Sequence, residues 1–247
     1  MPASARQLAI AKSVWGMPLI ASNEPTRAAS PSTAEALEDS PTSTSPPMLQ
    51  LGSAAVLLPV KALADAKARL SPEFGPAQRR AAARAMAQRV VTAAGTLPVF
   101  VVCDDDEIAT WARSSGAEVV WKPGRGLNVA VSEAVADLGA AGIAQVVVAH
   151  ADLPFAQNLA VATGFPGVTL IPDRHGDGTN VCCVAPGVGF EFAYGAGSFA
   201  SHLAGATRLG LAVRVIEDRR LGWDIDRPSD LQAPEDLIGE LDEIFPP

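Results

Sequence analysis

AAVLLPVKALADAKARL, residues 54–70, is the stretch on which the fold turns. Its first five residues, Ala54 to Leu58, are apolar without alternation. A strand with one wet face alternates apolar and polar residues, so an unbroken run is expected to be covered on both faces, as in parallel sheets flanked by helices. QVVVAH at 145–150 has the same character. Directly after the first strand, Lys61, Lys67 and Arg69 stand among alanines and leucines. Two readings of that segment are open. It is either an exposed helix, with Lys61–Asp65 and Asp65–Arg69 as i,i+4 ion pairs, or a cationic segment that faces an anion.

Working outward, apolar runs at 54–60, 98–103, 117–121, 145–150, 168–171, 180–185 and 212–216 read as strands. Helical patterns fall between them at about 76–95, 105–115, 127–141, 197–209 and 228–241. This alternation implies an α/β fold with a single doubly wound, mostly parallel sheet over residues 51–247. Residues 1–50 differ: SPSTAEALEDSPTSTSPP, at 30–47, cannot bury a core and reads as a disordered N-terminal extension. The apolar patch SVWGMPLIAS at 13–22 is short and broken by Gly and Pro, which argues against a secretion signal. Met48 stands just before the first strand, as an over-extended start would leave it.

The 247 residues are 48% hydrophobic and 19% charged, with a formal charge of −8. That balance argues against a nucleic-acid or anionic-membrane partner, which needs a basic face. It leaves room for a small anion, because a few cations in a pocket outweigh net charge locally. No apolar run is long enough to span a membrane. Cys103, Cys182 and Cys183 form neither a disulfide framework nor a zinc motif, and are expected to be small buried residues in a reducing cytoplasm.

In doubly wound sheets ligands bind beyond the carboxyl ends of the strands. The first strand ends Pro59-Val60-Lys61 with neither a Rossmann glycine fingerprint nor a P-loop. VVVAHADLP places Asp152 beyond a buried strand, where a carboxylate suits Mg²⁺ or caps a turn. His150 beside it is expected to be packed or hydrogen-bonded. In GWDIDRPSDL, at 222–231, a strand would turn Asp224 and Asp226 to one side, and two such carboxylates call for a cation. Ser229 and Asp230 read as ordinary helix-start residues. PDRHGDGTN at 172–180 is either an anion-binding loop, with its amides and the Thr179 hydroxyl, or a hairpin turn. In YGAGSF, Gly195 and Gly197 precede Ser198 at a helix start, which could present its N-terminus to a phosphate or simply carry a cap.

PVKALADAKARL, LNVAV (127–131), ADLP (151–154), DRHGDGTN (173–180), YGAGSFASH (194–202) and WDIDRPSDL (223–231) occur in the order found in the CofC/FbiD guanylyltransferases of coenzyme F420 biosynthesis, and the chain resembles that family over about residues 54–235. The resemblance implies a glycosyltransferase-A-like nucleotidyltransferase sheet and transfer of GMP from GTP to a small phosphorylated acid. Phosphoenolpyruvate is the first expectation; 2-phospho-L-lactate and 3-phospho-D-glycerate are the alternatives. Carried over by position, Pro59, Lys61, Lys67, Arg69 and Asn128 would bind the nucleotide. Asp152, Asp224 and Asp226 would hold Mg²⁺, with Lys61, Lys67, Arg69 and Asp152 as the catalytic set. Thr179, Gly195 and Ser198 would contact the acid. The next enzyme of the same pathway is an implied partner. Ala151, Tyr194, Arg227 and Ser229 replace the Gly, Phe, Thr and Glu common in the family, which bears on pocket shape more than on reaction class. The competing readings are a sugar-nucleotide glycosyltransferase that uses DID as its metal motif, a molybdopterin guanylyltransferase, and a non-catalytic nucleotide-binding protein.

Overall fold

The computed structural model describes residues 53–62 and 67–245. The expected extension at 1–50 and both ion pairs through Asp65 lie outside the described residues. Seven strands form one sheet: β1 (Ala54–Pro59), β2 (Val99–Cys103), β3 (Glu118–Trp121), β4 (Gln145–Ala149), β5 (Val168–Pro172), β6 (Thr179–Val184) and β7 (Val213–Val215). They lie in the order β3-β2-β1-β4-β6-β5-β7. β1 pairs in parallel with β2 and β4, β2 with β3, and β5 with β7. β6 alone runs against both its neighbours. The cause is local: only residues 173–178 separate β5 from β6, enough for a hairpin and too few for a parallel crossover.

Helices α1 (Pro76–Ala93) and α2 (Asp106–Ser114) cover one face, and α3 (Leu127–Ala140) and α4 (Ser198–Arg208) the other. β1 shows why its run has no polar position. Val56 and Leu58 enter the core under α1 and α2, while Ala55 and Leu57 enter the core under α3 and α4. All three cysteines are free and buried, and burial pushes the Cys183 thiol up to about 12.

The helix expected at about 228–241 is two pieces: a 3-10 turn, Pro228–Leu231, and α5 (Glu235–Asp242). Pro234 separates them, since proline has no N–H to donate and disfavours helical backbone in the residue before it. α5 closes a third apolar cluster, in which Leu237 and Leu241 pack with Leu70, Met86, Phe155 and Ile225. Leu70 and Ile225 are both fully buried in it. They hold the segments carrying Arg69 and Asp226 side by side.

Candidate active site

The carboxyl ends of β1, β2 and β4 and the start of α3 line an open cavity of about 770 Å³. Of the expected site residues, Pro59, Lys61, Lys67, Arg69, Asp152 and Asp226 line it, together with Cys103, His150 and Ala151. Lys67 links two of its carboxylates. The Nζ donates to Asp152 Oδ2 at 2.6 Å and to Asp226 Oδ1 at 3.2 Å, and Arg69 Nη1 donates to Asp226 Oδ2 at 2.5 Å. Lys67 and Arg69 thus face carboxylates of the cavity, while the helical reading of 59–70, which runs through Asp65, lies partly outside the described residues. Lys67 has φ 54°, the one non-glycine in the left-handed region among the described residues, and a 3-10 turn (Ala68–Leu70) follows it. Such backbone costs roughly 1–2 kcal/mol, and here it accompanies an ammonium aimed at two carboxylates.

The electrostatics follow from burial and pairing. Burial alone would lower the Lys67 ammonium, but Asp152 and Asp226 outweigh it and hold it above its ordinary value. Burial would raise the Asp152 carboxyl, and Lys67 with His150 brings it below the usual range. Asp224 is different: burial, then the Asp152 charge, pushes its carboxyl up. Asp152 Oδ1 and Asp224 Oδ1 are both buried without a hydrogen-bond partner among the described residues.

Asp224 and Asp226 do not lie on a strand. The segment is extended coil, tied to Asp152 by the Ile225 N–H donating to the Asp152 carbonyl at 3.2 Å. Its shape comes from residues that the sequence did not single out. Arg174 donates from Nη1 to the Asp224 carbonyl at 3.0 Å, pairs through Nη2 with Asp230, and lies 4.3 Å over the Trp223 ring. Buried Asp230 in turn accepts the Asp226 and Arg227 N–H groups, each at 2.7 Å. Asp230 is the helix-start residue the sequence suggested, its carboxylate accepting the N–H of Arg227, the N-cap of the 3-10 turn, and through Arg174 and the Asp226 N–H it also clasps the DID segment. Among the described residues no group of three or more His, Cys, Asp or Glu is gathered as a metal cage.

Thr179, Gly195, Ser198, Asn128 and Asp224 are not among the residues lining the cavity. Asp173 accepts the N–H groups of His175, Asp177 and Gly178, so the PDRHGDGTN loop is a self-satisfied hairpin turn. Asp177 accepts the Gly197 N–H through its carboxylate and the Phe199 N–H through its carbonyl, which fills the start of α4 from within. Ser198 is the first residue of α4, not its cap; its buried Oγ accepts the Thr179 N–H at 2.9 Å. The Thr179 hydroxyl is equally buried and lies 2.9 Å from His202 Nδ1. His202 Nε2 accepts the Ala193 N–H at 2.9 Å, so Nδ1 carries the proton and donates to Thr179. Burial, then the nearby His150, lowers the imidazole to about 4 and keeps it neutral. Gly195, at φ 135°, is exposed in a conformation that L side chains rarely adopt. Asn128 pairs its amide with both backbone polar groups of Tyr194, at 2.8 and 3.3 Å, joining the start of α3 to that loop. His150 lines the cavity and packs on Tyr194 with ring centroids 5.0 Å apart. Its Nε2 has no partner among the described residues, so the packed role is met and the hydrogen-bonded one is not.

No serine or threonine is among the described residues lining the cavity, and its one cysteine, Cys103, is held as a thiol by burial. What the described lining offers most of is charge: Lys61, Lys67, Arg69 and Lys122 beside Asp104, Asp152 and Asp226. A model of the family described as guanylyl transferase CofC like matches residues 54–237. The chain belongs to that family. The phosphoenolpyruvate guanylyltransferase of Sphaerobacter thermophilus is 34% identical over 192 residues, covering 74% of this chain and 91% of the relative. That of Streptomyces coelicolor is 41% identical over 192 residues, covering 72% and 88%. Among solved structures, a protein described as a nucleotide-diphospho-sugar transferase from Desulfovibrio desulfuricans superposes with a TM-score of 0.62 at 17% identity, over 77% of this chain and 94% of the other. A nucleotidyl transferase from a Methanothermobacter superposes at 0.53 and 14%, over 72% and 94%. These two share the fold of this CofC-like guanylyl transferase, the nucleotidyltransferase sheet that the motifs implied.

Proposed function

We propose that this chain, through its domain at 51–247, transfers the GMP unit of GTP to phosphoenolpyruvate, releasing pyrophosphate and forming enolpyruvyl-diphospho-guanosine for coenzyme F420 synthesis in the cytoplasm. The observation that carries the reading is Lys67, held at 2.6 and 3.2 Å between Asp152 and Asp226 in a cation-lined cavity at the strand ends. The names of the two relatives supply the acceptor.

A phosphate oxygen of the acid attacks the α-phosphorus of GTP in line. The bond from that phosphorus to the bridging oxygen breaks, and its electron pair leaves with pyrophosphate. Transfer of this kind rests on positioning and charge stabilisation. Lys61, Lys67 and Arg69 neutralise the triphosphate and the departing pyrophosphate, and Asn128 holds the nucleotide wall through Tyr194. Thr179 and Ser198 act from beneath, fixing the loop on which exposed Gly195 meets the acid.

The donor set fits magnesium. Asp152 Oδ1 and Asp224 Oδ1 are buried without a hydrogen-bond partner among the described residues, with only Arg174 Nη1, 3.8 Å from Asp224 Oδ1, near the second, and Mg²⁺ favours one or two carboxylates completed by water and phosphate oxygens. Bound there, it would supply Lewis-acid neutralisation of phosphate charge. Asp226 serves instead to hold Lys67 and Arg69.

The test is a mass-spectrometric assay with GTP and Mg²⁺ in which phosphoenolpyruvate, 2-phospho-L-lactate and 3-phospho-D-glycerate compete. The expected product is the guanylyl adduct of phosphoenolpyruvate with one pyrophosphate per turnover. Absence of all three adducts, or glycosyl transfer from a UDP-sugar, overturns the reading.

A further inference from the structure

Among the described residues, three aspartates line the cavity: Asp104, Asp152 and Asp226. Lys67 and Arg69 neutralise the last two. Asp104 is exposed at the end of β2, and among the described residues it appears in no hydrogen bond or ion pair. It is not needed as a helix cap, since Asp105 next to it caps α2 by accepting the Ile108 N–H at 3.0 Å. An unneutralised carboxylate repels a triphosphate, so in this cavity it belongs beside a part of the nucleotide that donates hydrogen bonds.

The topology supplies the separation. β2 and β4 flank β1 on opposite sides, with Pro59 opposite Val102 and Leu57 opposite Val148. Neighbouring strands are about 4.8 Å apart, so the ends of β2 and β4 stand roughly 10 Å from one another. With the phosphates at Lys67 and Asp152, that distance sets Asp104 at the far end of a nucleoside. On the β2 side the cavity is lined by Val102 and Cys103, by the small side chains of Ala83, Ala87 and Ala130, and by Leu127. Lys122 and Arg125 line it as well, but their charges are paired with Glu133 and Asp137 of α3 rather than with Asp104.

Guanine presents two adjacent donors on its base-pairing edge, N1–H and the 2-amino group. An ionised carboxylate only accepts, through two oxygens side by side. Adenine offers a bare N1 lone pair at the same place, which the carboxylate repels. We propose that Asp104 is the residue that selects guanine, its carboxylate accepting both N1–H and the 2-amino group. This deepens, and rests on, the guanylyltransferase reading.

The experiment compares kcat/KM for GTP, ITP and ATP in the wild type, Asp104→Ala and Asp104→Asn, with a thermal midpoint for each. ITP keeps N1–H and lacks the 2-amino group. The wild type should prefer GTP to ITP by roughly ten- to a hundredfold, the range of a hydrogen bond to a charged group. Asp104→Ala should bring that preference within about threefold, through KM for GTP with kcat retained. Asp104→Asn, which turns an N–H₂ toward a donor, should do likewise at an unchanged midpoint and carries the test if the alanine variant does not fold. A preference that survives in the variants, or a wild type that treats GTP and ITP alike, overturns the assignment. If the wild type forms no product from GTP with any acid, the guanylyltransferase reading fails instead. Calorimetric binding of GTP and ITP then decides Asp104 by the same ratios.

Discussion

Replacing Lys67 by methionine keeps the length of the side chain and the left-handed backbone while removing the charge that joins Asp152 to Asp226. At an effective dielectric of about 20, contacts of 2.6 and 3.2 Å correspond to gross attractions of about 6 and 5 kcal/mol. Much of that offsets the desolvation of the three charges. The net cost of leaving the partners behind is about 3–5 kcal/mol for a fully buried pair. The Asp226 side chain is 44% exposed and keeps Arg69, so the lower end applies, about 3 kcal/mol. Loss of one cation from the triphosphate site should also reduce kcat/KM for GTP by about 10²–10³. Urea unfolding and steady-state turnover read the two effects separately. Because both act through Asp152, the double variant K67M/D152N should be less destabilised than the sum of the singles, by about 0.5–3 kcal/mol. An unchanged urea midpoint, kcat/KM within threefold of wild type and simple additivity would together refute the role assigned to Lys67.

Asp152→Asn should lower turnover by orders of magnitude while leaving the circular-dichroism spectrum native; normal turnover removes the metal and catalytic assignment. His202, at about 4 in the folded chain against 6.5 as its ordinary value, binds a proton more readily when unfolded. Stability should therefore be full above pH 6.5 and fall by about 3 kcal/mol as pH drops to 4. His202→Asn should flatten that slope in denaturant titrations at pH 7 and pH 5. Arg174→Gln leaves Asp230 buried without its cation and should cost about 2–4 kcal/mol, whereas Arg174→Lys keeps the charge but loses the two-pronged hold on Asp224 and Asp230. Magnesium titration of the variants, followed by tryptophan fluorescence of Trp223, should show weakened binding in Arg174→Gln, and unchanged affinity contradicts the clasp.

All seven strands were legible because each is an apolar run bounded by turn residues, and burial on two faces leaves little else such a run can be. The strand-end rule also located Lys67, Arg69 and Asp152; Asp226 came from the DID motif, which the sequence read as a strand and the structure shows as coil. The same rule applied to Asp104 at the end of β2, but an isolated carboxylate beside a helix cap gives no local sign that it lines a cavity. The direction of β6 was readable in principle from its short connection to β5.

By itself the sequence determined the class of fold, the family and the chemistry of the site: cations after β1, carboxylates after β4 and in DID. These depend on spacing along the chain and on what water rejects. Only the tertiary structure decided which charge meets which. Lys67 and Asp226 are 159 positions apart, and Leu70 and Ile225 bring them together by packing in one apolar cluster. Tertiary structure likewise turned the hydroxyls of Thr179 and Ser198 inward and made Asp230 the clasp of the DID segment, because buried polar groups take whatever partner the surrounding backbone offers, and periodicity carries no record of that choice.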